Sequence, residues 1–488
     1  MFQKIRLLSN SFSPTHFFWQ IIIVIFSIPL ILFTLMFSQG FVWPDEIFQS
    51  IEPAYFMVTG RGNLAWEFTD QVRSVLYPYI LSVWIRIVFL FSTDPTVLFH
   101  STRVVLAGIY LASVLMLSRF FLKTESEKKE IGFGIIFLIF SFVFLLFPLN
   151  YYFGFRTLTE SISTSLAILS IFWIQIRFEK QDYRFFLPSL ILGLTYGLRF
   201  QMGLFLILYI PLFCYQLWQK KLIKEAGWFL FGLFTGFVIY LISDIVYYGI
   251  PFISSFNYFK FNIVKGVAKQ WGTSPFPFYF QSYLRYFQFL LIFLIPGIYS
   301  NFKKLYPILL ATASFILIHS MIGHKELRFI YLSYPILLYL IASGILVSYS
   351  WIQAKRKKWA PVFLMLILLL TGFQYRTVLL KKIQWNFCNE NLQLFLQADK
   401  HGLKGNSLIG VSEVFAWGAG YVYMGNAFKD NLYFHDLQTR STEETEKILK
   451  EEKIQNILIF DTTKDHYCKT YGYCKTIFPL SPYSWISR

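Results

Sequence analysis

Charge-free apolar runs such as residues 21–36 and 363–370 constrain this chain more than any other feature. A soluble domain can bury a core without them. Lipid offers the backbone no hydrogen-bonding partner, so each run reads as a helix crossing the bilayer in about 20 residues. The runs recur near 18–38, 75–92, 97–122, 131–149, 158–178, 185–218, 226–247, 284–300, 305–323, 330–350 and 359–378. Segment 185–218 is long for one crossing at about 1.5 Å per helical residue and can be two. The chain is 56% hydrophobic, 21% aromatic and 15% charged over 488 residues. The expected fold class is therefore an all-α polytopic membrane protein of about 11–12 transmembrane helices.

A net charge of +17 suggests nucleic acid at first sight. The basic residues instead sit mainly in short loops between spans, where orientation in a membrane places them. Lys4 and Arg6, Lys220, Lys221 and Lys224, Lys303 and Lys304, and the run Lys355 to Lys358 read as cytoplasmic. Loops 39–74 and 248–283, the turn at 323–329 and the tail after Arg376 then share the opposite face. Eleven crossings satisfy this scheme; if 185–218 crosses twice, one upstream segment fails to cross. Loop 123–130 balances Lys123, Lys128 and Lys129 against Glu125, Glu127 and Glu130 and gives no vote. No cleavable leader is expected, because Lys4 and Arg6 precede an apolar stretch long enough to remain in the membrane. No metal-type CxxC pair occurs.

The first long polar break is residues 41–68, FVWPDEIFQSIEPAYFMVTGRGNLAWEF. Pro44 followed by Asp45 and Glu46 is a helix start. Ile47, Ile51, Tyr55 and Val58 fall on one side, with Asp45, Gln49 and Glu52 on another. That spacing predicts an interfacial helix with its carboxylates in water, kinked at Pro53 and ended by Gly60-Arg61-Gly62. The two acids are either ordinary helix caps or a general base held at the membrane–water boundary.

Loop 248–283 is aromatic and weakly basic, broken by Pro251, Gly266, Gly272, Pro275 and Pro277. It is either an interfacial belt or a lipid-binding lip. Asp244, just inside the preceding span, is costly there unless it pairs or works. Residues 323–329, GHKELRF, gather four ionisable groups, more than a turn requires. Lys325, Arg328 and His324 can hold a phosphate, with Glu326 orienting them.

From about residue 385 the composition changes. Residues 407–412 and 456–461 read as buried strands, with a charged helix over 442–453 started by Ser441. The expectation is a transmembrane catalytic domain over 1–380 and a small extracytoplasmic α/β domain over 385–488. Cys468 and Cys474 can close a short disulfide there in an oxidising compartment.

These residues together resemble glycosyltransferase family 22. WPDEIFQSIEPAYFMVTGRGNLAWEF is similar to its first-loop pattern PDE-x-x-Q-x-x-E…G-x-G-x-x-x-W-E, and HKELRF to its HKE-x-RF signature. FRTLTES (155–161) is similar to its RTL-T-N-S segment, with Glu160 where asparagine is usual, and 244–279 to its later outer-loop pattern. The resemblance runs from about 40 to 335 and is nearest to GPI-mannosyltransferase-III-like members. It implies a GT-C fold and inverting transfer of mannose from a polyprenyl-phosphate carrier to a lipid-linked glycan at the non-cytoplasmic face. It implies no nucleotide sugar, no metal and no other cofactor, and membrane lipids rather than nucleic acid as surroundings.

A lipid-phosphate leaving group needs a membrane groove, cations for the departing phosphate and a carboxylate for the acceptor proton. By match to the family, Asp45 is the base, with Glu46 supporting or replacing it. Lys325 and Arg328 stabilise the phosphate, arranged by His324 and Glu326. The groove is assigned Gln49, Glu52, Trp66, Glu67, Asp244, Tyr247, Tyr248 and Trp271, with Phe256 at the prenyl entrance. Arg156, Glu160 and Arg199 are secondary candidates, and Arg156 faces the cytoplasm in the eleven-span scheme. A GT-C transferase for a different prenyl-linked sugar is the alternative within enzymes, and a lipid-linked sugar flippase or transporter the alternative outside them. No N-x-S/T sequon falls on the expected outer segments and no retrieval signal is evident, which points to a bacterial inner membrane rather than the endoplasmic reticulum.

Overall fold

The computed structural model describes residues 14–38, 40–128, 131–385, 388–398, 400–412, 414, 420–424, 428 and 430–488. Contacts group these into two compact units. One comprises the described parts of 1–34, 70–76 and 105–383; the other comprises those of 35–69, 77–104 and 384–488. The first outer loop up to residue 69 thus groups with the C-terminal region, and residues 70–74 with the bundle.

The protein is a multi-pass membrane protein. Among the described residues, eight helices are long and apolar enough to cross a bilayer: Phe18–Phe37, Pro95–Glu127, Thr159–Glu179, Met202–Gln219, Ile223–Tyr248, Phe278–Met321, Ser333–Lys355 and Lys357–Lys381. A bent pair, Phe133–Leu145 and Pro148–Gly154 at 55°, makes a ninth. Pro148 causes the bend, since it has no N–H to continue the ladder. Asn150 Nδ2 donates to Phe144 O at 2.9 Å and Tyr375 Oη to Val143 O at 2.7 Å, satisfying carbonyls the break releases.

Two expectations about the spans change, and for segment 185–218 the two-helix alternative holds. The expected span at 75–92 is the helix Leu76–Phe89, whose 14 residues give about 21 Å, like the 13-residue Phe186–Leu198 short of the ~30 Å hydrocarbon core, so side-chain contacts rather than length decide which of the two is counted. Segment 185–218 is two helices, Phe186–Leu198 and Met202–Gln219, parted at Arg199. The boundary expected at 301–304 lies inside the helix Leu294–Met321; the break falls upstream, at the 3₁₀ stretch Gln288–Phe293.

Side-chain contacts then fix which ends of the bundle meet. Lys304 reaches Glu179 and donates to Thr124 Oγ1 at 2.9 Å, while Lys128 donates to Ser300 Oγ at 3.0 Å. Ser343 Oγ donates to Glu125 Oε1 at 2.8 Å. Loop 123–128 therefore lies at the Lys303–Lys304 end, opposite the end of Thr159–Glu179 that carries Glu160. The eleven-span scheme put this loop on the other face. Counting Phe186–Leu198 and leaving out Leu76–Phe89 removes the conflict.

Helices Leu294–Met321 and Ser333–Lys355 approach through paired glycines. A Cβ on Gly344 would stand 1.9 Å from Phe293 O, and one on Gly297 2.0 Å from Leu340 O. Backbone cannot yield as a side-chain tip can. Gly344→Ala is expected to destabilise the protein by about 1–3 kcal/mol, as overpacking does, read as a lower thermal midpoint in detergent.

In the second unit, strands β1 (Ser407–Ile409), β2 (Leu432–Phe434), β3 (Asn456–Phe460), β4 (Lys475–Leu480) and β5 (Tyr483–Ser487) form one sheet in the order β2-β1-β3-β5-β4. β1 runs parallel to β2 and β3, and β5 antiparallel to β3 and β4. The helix Thr442–Glu451 makes the crossover from β2 to β3, as parallel pairing demands. It starts on the expected capping box: Glu444 N donates to Ser441 Oγ at 3.2 Å and Ser441 N to Glu444 Oε2 at 3.1 Å. Leu408, Leu449, Ile457, Ile459 and Ile486 form the core. Buried Trp485 donates its indole N–H to Leu394 O at 3.0 Å. Cys468 and Cys474 are disulfide-bonded.

Candidate active site

Within the second unit the first outer loop is more buried than its spacing predicts. Ile47–Ile51 is a π-helical turn and Glu52–Thr59 a regular helix with Pro53 in its first turn. Pro53 has no N–H for the ordinary ladder, so the chain widens before it instead of kinking at it. Gly60, at φ +70°, closes the helix as expected.

Of Asp45, Glu46 and Glu52, only Asp45 is not buried. Glu46 is 2% exposed and its Oε1 accepts Val42 N at 2.8 Å, a cap rather than a solvent-facing acid. Gln49 is also buried and donates to Glu67 Oε1 at 2.9 Å, while Trp66 stays exposed. The expectation that Asp45, Gln49 and Glu52 all face water therefore fails for Gln49 and Glu52, and Asp45 is half-buried.

Glu52 is 0% exposed and lines no groove. Its carboxylate accepts Asn63 N at 2.9 Å, Tyr421 N at 2.9 Å and Val422 N at 3.0 Å. Three N–H donors are what make a buried carboxylate tolerable. A Cβ on Gly420 would lie 2.3 Å from the Glu52 carboxyl carbon, so a side chain here would push the carboxylate off its N–H donors. Arg61 Nη1 adds a second tie, to Phe428 O at 3.2 Å. Burial pushes the Glu52 carboxyl from 4.5 up to about 7, against the pull of its N–H donors. A folded value above the unfolded one means its stabilisation is complete below about 4.5 and is lost as pH rises through about 7. The thermal midpoint is expected to fall between pH 5.5 and 8.5, and Glu52→Gln to flatten that dependence.

Within the first unit the HKE turn forms a dense ionic cluster. Arg328 Nε and Nη2 hold Glu326 at 2.8 and 3.0 Å, and His324 Nε2 lies 3.1 Å from Glu326 Oε1. Burial alone would raise the Glu326 carboxyl, but Arg328 and then His324 outweigh it and bring it to about 2. The bond to Glu326 raises the His324 imidazole above its usual value. Arg328 Nε also lies 3.3 Å from Glu160 Oε1, the same oxygen that Arg199 Nη2 approaches to 3.0 Å. Arg199 Nη1 donates to Thr159 Oγ1 at 3.1 Å. Three distant segments thus meet at one end of the bundle, around a small cavity lined by Glu160, Ser163, Thr164, Arg199, Gln201 and Arg328.

This overturns the cytoplasmic placement of segment 155–161. Glu160 cannot share a face with the cytoplasmic loops and pair with Arg328. Arg156 lies beside it, 1% exposed, with Nε donating to Tyr152 O at 2.7 Å and its guanidinium 4.7 Å from the Tyr152 ring. Ser163, Thr164 and Gln201 were not singled out in the sequence. The FRTLTES stretch, ending two to three residues upstream, was the only signal for the first two.

Lys325 is buried, and its Nζ donates to Ser274 O at 2.6 Å. His324 Nδ1 lies 3.0 Å from Gly272 O, and Ser274 N donates to Gly323 O at 2.9 Å. Both side chains therefore fasten the end of loop 248–283. That loop is more regular than its prolines and glycines suggest, with Ile253–Phe259 helical, Lys260–Val264 π-helical and Val267–Trp271 3₁₀. Phe256 and Trp271 are exposed, Trp271 at 69%. Tyr247 packs edge-on against Tyr248 at 4.8 Å, and Tyr248 Oη donates to Arg73 O at 2.8 Å.

Asp244 is 0% exposed and does not line a groove. It accepts Ser254 N at 3.1 Å, Ser254 Oγ at 2.7 Å and Tyr240 Oη at 3.1 Å, tying the span Ile223–Tyr248 to the loop helix Ile253–Phe259. Its cost in lipid is met by pairing.

Comparison with known proteins gives the same picture. The chain resembles GPI alpha-1,2-mannosyltransferase 3 of Homo sapiens, 30% identical over 64% of this chain and 55% of that one. It likewise resembles the Mus musculus protein of that name, 29% identical over 63% and 56%, and GPI mannosyltransferase 3 of Candida albicans, 30% over 63% and 60%. The matched stretches thus span under two thirds of these relatives' lengths. ArnT from Cupriavidus metallidurans, solved bound to undecaprenyl phosphate, superposes with a TM-score of 0.57 over 96% of this chain and 98% of that one. At 10% identity that likeness is one of fold, the fold expected of a GT-C transferase. The sequence profile of the Alg9-like mannosyltransferase family matches residues 19–384, three quarters of the chain, and the chain belongs to that family.

Proposed function

We propose that the protein is an integral-membrane glycosyltransferase moving a mannosyl residue from a polyprenyl-phosphate donor to a lipid-linked glycan on the non-cytoplasmic face. The observation that carries this is the arginine pair Arg199 and Arg328 on one buried carboxylate, Glu160, at the end of the bundle where the HKE turn lies. Two guanidinium groups at one point suit a phosphate, which they can grip bidentately. The acceptor hydroxyl attacks the anomeric carbon as Asp45 takes its proton, and the bond from that carbon to the phosphate oxygen breaks with inversion. The charge that develops on the departing phosphate falls to Arg328 and Arg199. Lys325 and His324 act one step back, fastening loop 248–283, while Glu326 orients Arg328. The exposed aromatic residues of that loop, Phe256 and Trp271, suit a prenyl chain.

Purified protein given labelled polyprenyl-phosphate mannose and a lipid-linked glycan is expected to form a mannosylated glycolipid. Movement of the donor across a vesicle membrane with no transfer would establish the transporter instead. Transfer from a different prenyl-linked sugar but not from mannose would establish the other transferase. The relatives described above are animal and fungal, so a bacterial inner membrane gains no support from them.

A further inference from the structure

The second unit holds a cavity of about 220 Å³ that none of the roles above uses. One wall is the start of the helix Pro95–Glu127, with Thr96 and His100 one turn apart and Phe99 between them. The other is the end of the helix Asn389–Leu396 and the residues after it, with Gln393 on the last turn, Gln397 at its C-cap and Lys400 beyond. Facing helices normally fill such a space with apolar side chains to crystal-like density. Here both faces offer polar groups, and the walls are held in place. Phe99 packs edge-on against Phe41 at 5.7 Å and Tyr423 at 5.9 Å, and Gln397 Nε2 donates to Gln393 Oε1 at 3.0 Å.

We propose that this cavity is a sugar-binding subsite that holds one ring of the glycan acceptor. Amide, hydroxyl and imidazole groups can each donate or accept, as the hydroxyls of a sugar require. Phe99 and Leu396, both buried, give the lining a narrow apolar strip, and a few polar groups beside an apolar wall is the usual make-up of a small-molecule site. An anion is a poor fit, since Lys400 at the exposed rim is the only cation in the lining. Phe41, against which Phe99 packs, lies four residues before Asp45 in the first outer loop.

The inference rests on the transferase reading for the word acceptor, and its test separates the two. The full chain in lipid nanodiscs is to be probed by saturation-transfer NMR with methyl α-mannopyranoside and methyl α-glucopyranoside. At least one hexoside is expected to bind, and Gln397→Leu and the isosteric Thr96→Val each to weaken binding about tenfold, the loss of a hydrogen bond or two. In the transfer assay the same variants are expected to raise the acceptor KM about tenfold, leaving kcat and the donor KM unchanged. Absence of hexoside binding to the wild type, or unchanged binding in both variants, overturns the proposal. Sugar binding that depends on Gln397 in a protein that transfers nothing upholds the subsite and overturns the transferase reading instead.

Discussion

Asp45→Asn is expected to lower mannosyl transfer by about 10²–10⁴-fold, the range of a general base, while leaving donor binding intact. The expectation rests on exposure and position. Asp45 sits in the first turn after Pro44, where the backbone amides favour an anion, and of the helix acids Asp45, Glu46 and Glu52 it is the one that is not buried. Glu46 caps Val42 N and Glu52 holds residues 63, 421 and 422 in place. Substitution of either should therefore act through stability, with melting and activity falling together. Asp45→Asn is expected to melt like the wild type. Asp45→Glu, which keeps the carboxylate but moves it by a methylene, should recover part of the rate. Asparagine at this position with activity within tenfold of wild type would remove Asp45 from the chemistry.

What could be read in the chain follows the range over which its causes act. The PDE and HKE stretches are local: a proline, adjacent acids or four ionisable groups in one turn are visible without a fold. So is the Ser441–Glu444 capping box. The link between Glu160, Arg199 and Arg328 spans more than 160 residues, and it depends on which helices cross. A 14-residue apolar helix and a 13-residue one, Leu76–Phe89 and Phe186–Leu198, look alike in hydropathy. Miscounting the first alone reversed the assigned side of residues 123–161. Burial of Glu52 was equally hidden, because its partners are backbone N–H groups, which no composition signals; burial of Asp244 was legible from its place in a span, but its partners Tyr240 and Ser254 were not. The β4–β5 hairpin was missed because two prolines interrupt its 13 residues.

Arg328→Lys is expected to cost about 10²–10³-fold in transfer, the usual effect of removing one preorganised donor from a developing anion. Lysine keeps the charge and loses the fork. In the protein as it stands, Arg328 uses Nε and Nη2 on Glu326 and shares Glu160 Oε1 with Arg199. One ammonium cannot satisfy both carboxylates in that geometry. The loss is expected in kcat rather than in donor KM, because the charge is greatest on the departing phosphate. Glu160→Gln gives the opposite contrast. The carboxylate now occupies the place between the two guanidinium groups that an incoming phosphate would take, and removing its charge leaves them to the phosphate. Glu160→Gln should bind polyprenyl phosphate more tightly, by isothermal titration in nanodiscs, even if turnover slows through retained product. Weaker phosphate binding in Glu160→Gln, together with an unchanged rate in Arg328→Lys, would mean that this cluster is an ordinary buried ion network and that the phosphate is held elsewhere.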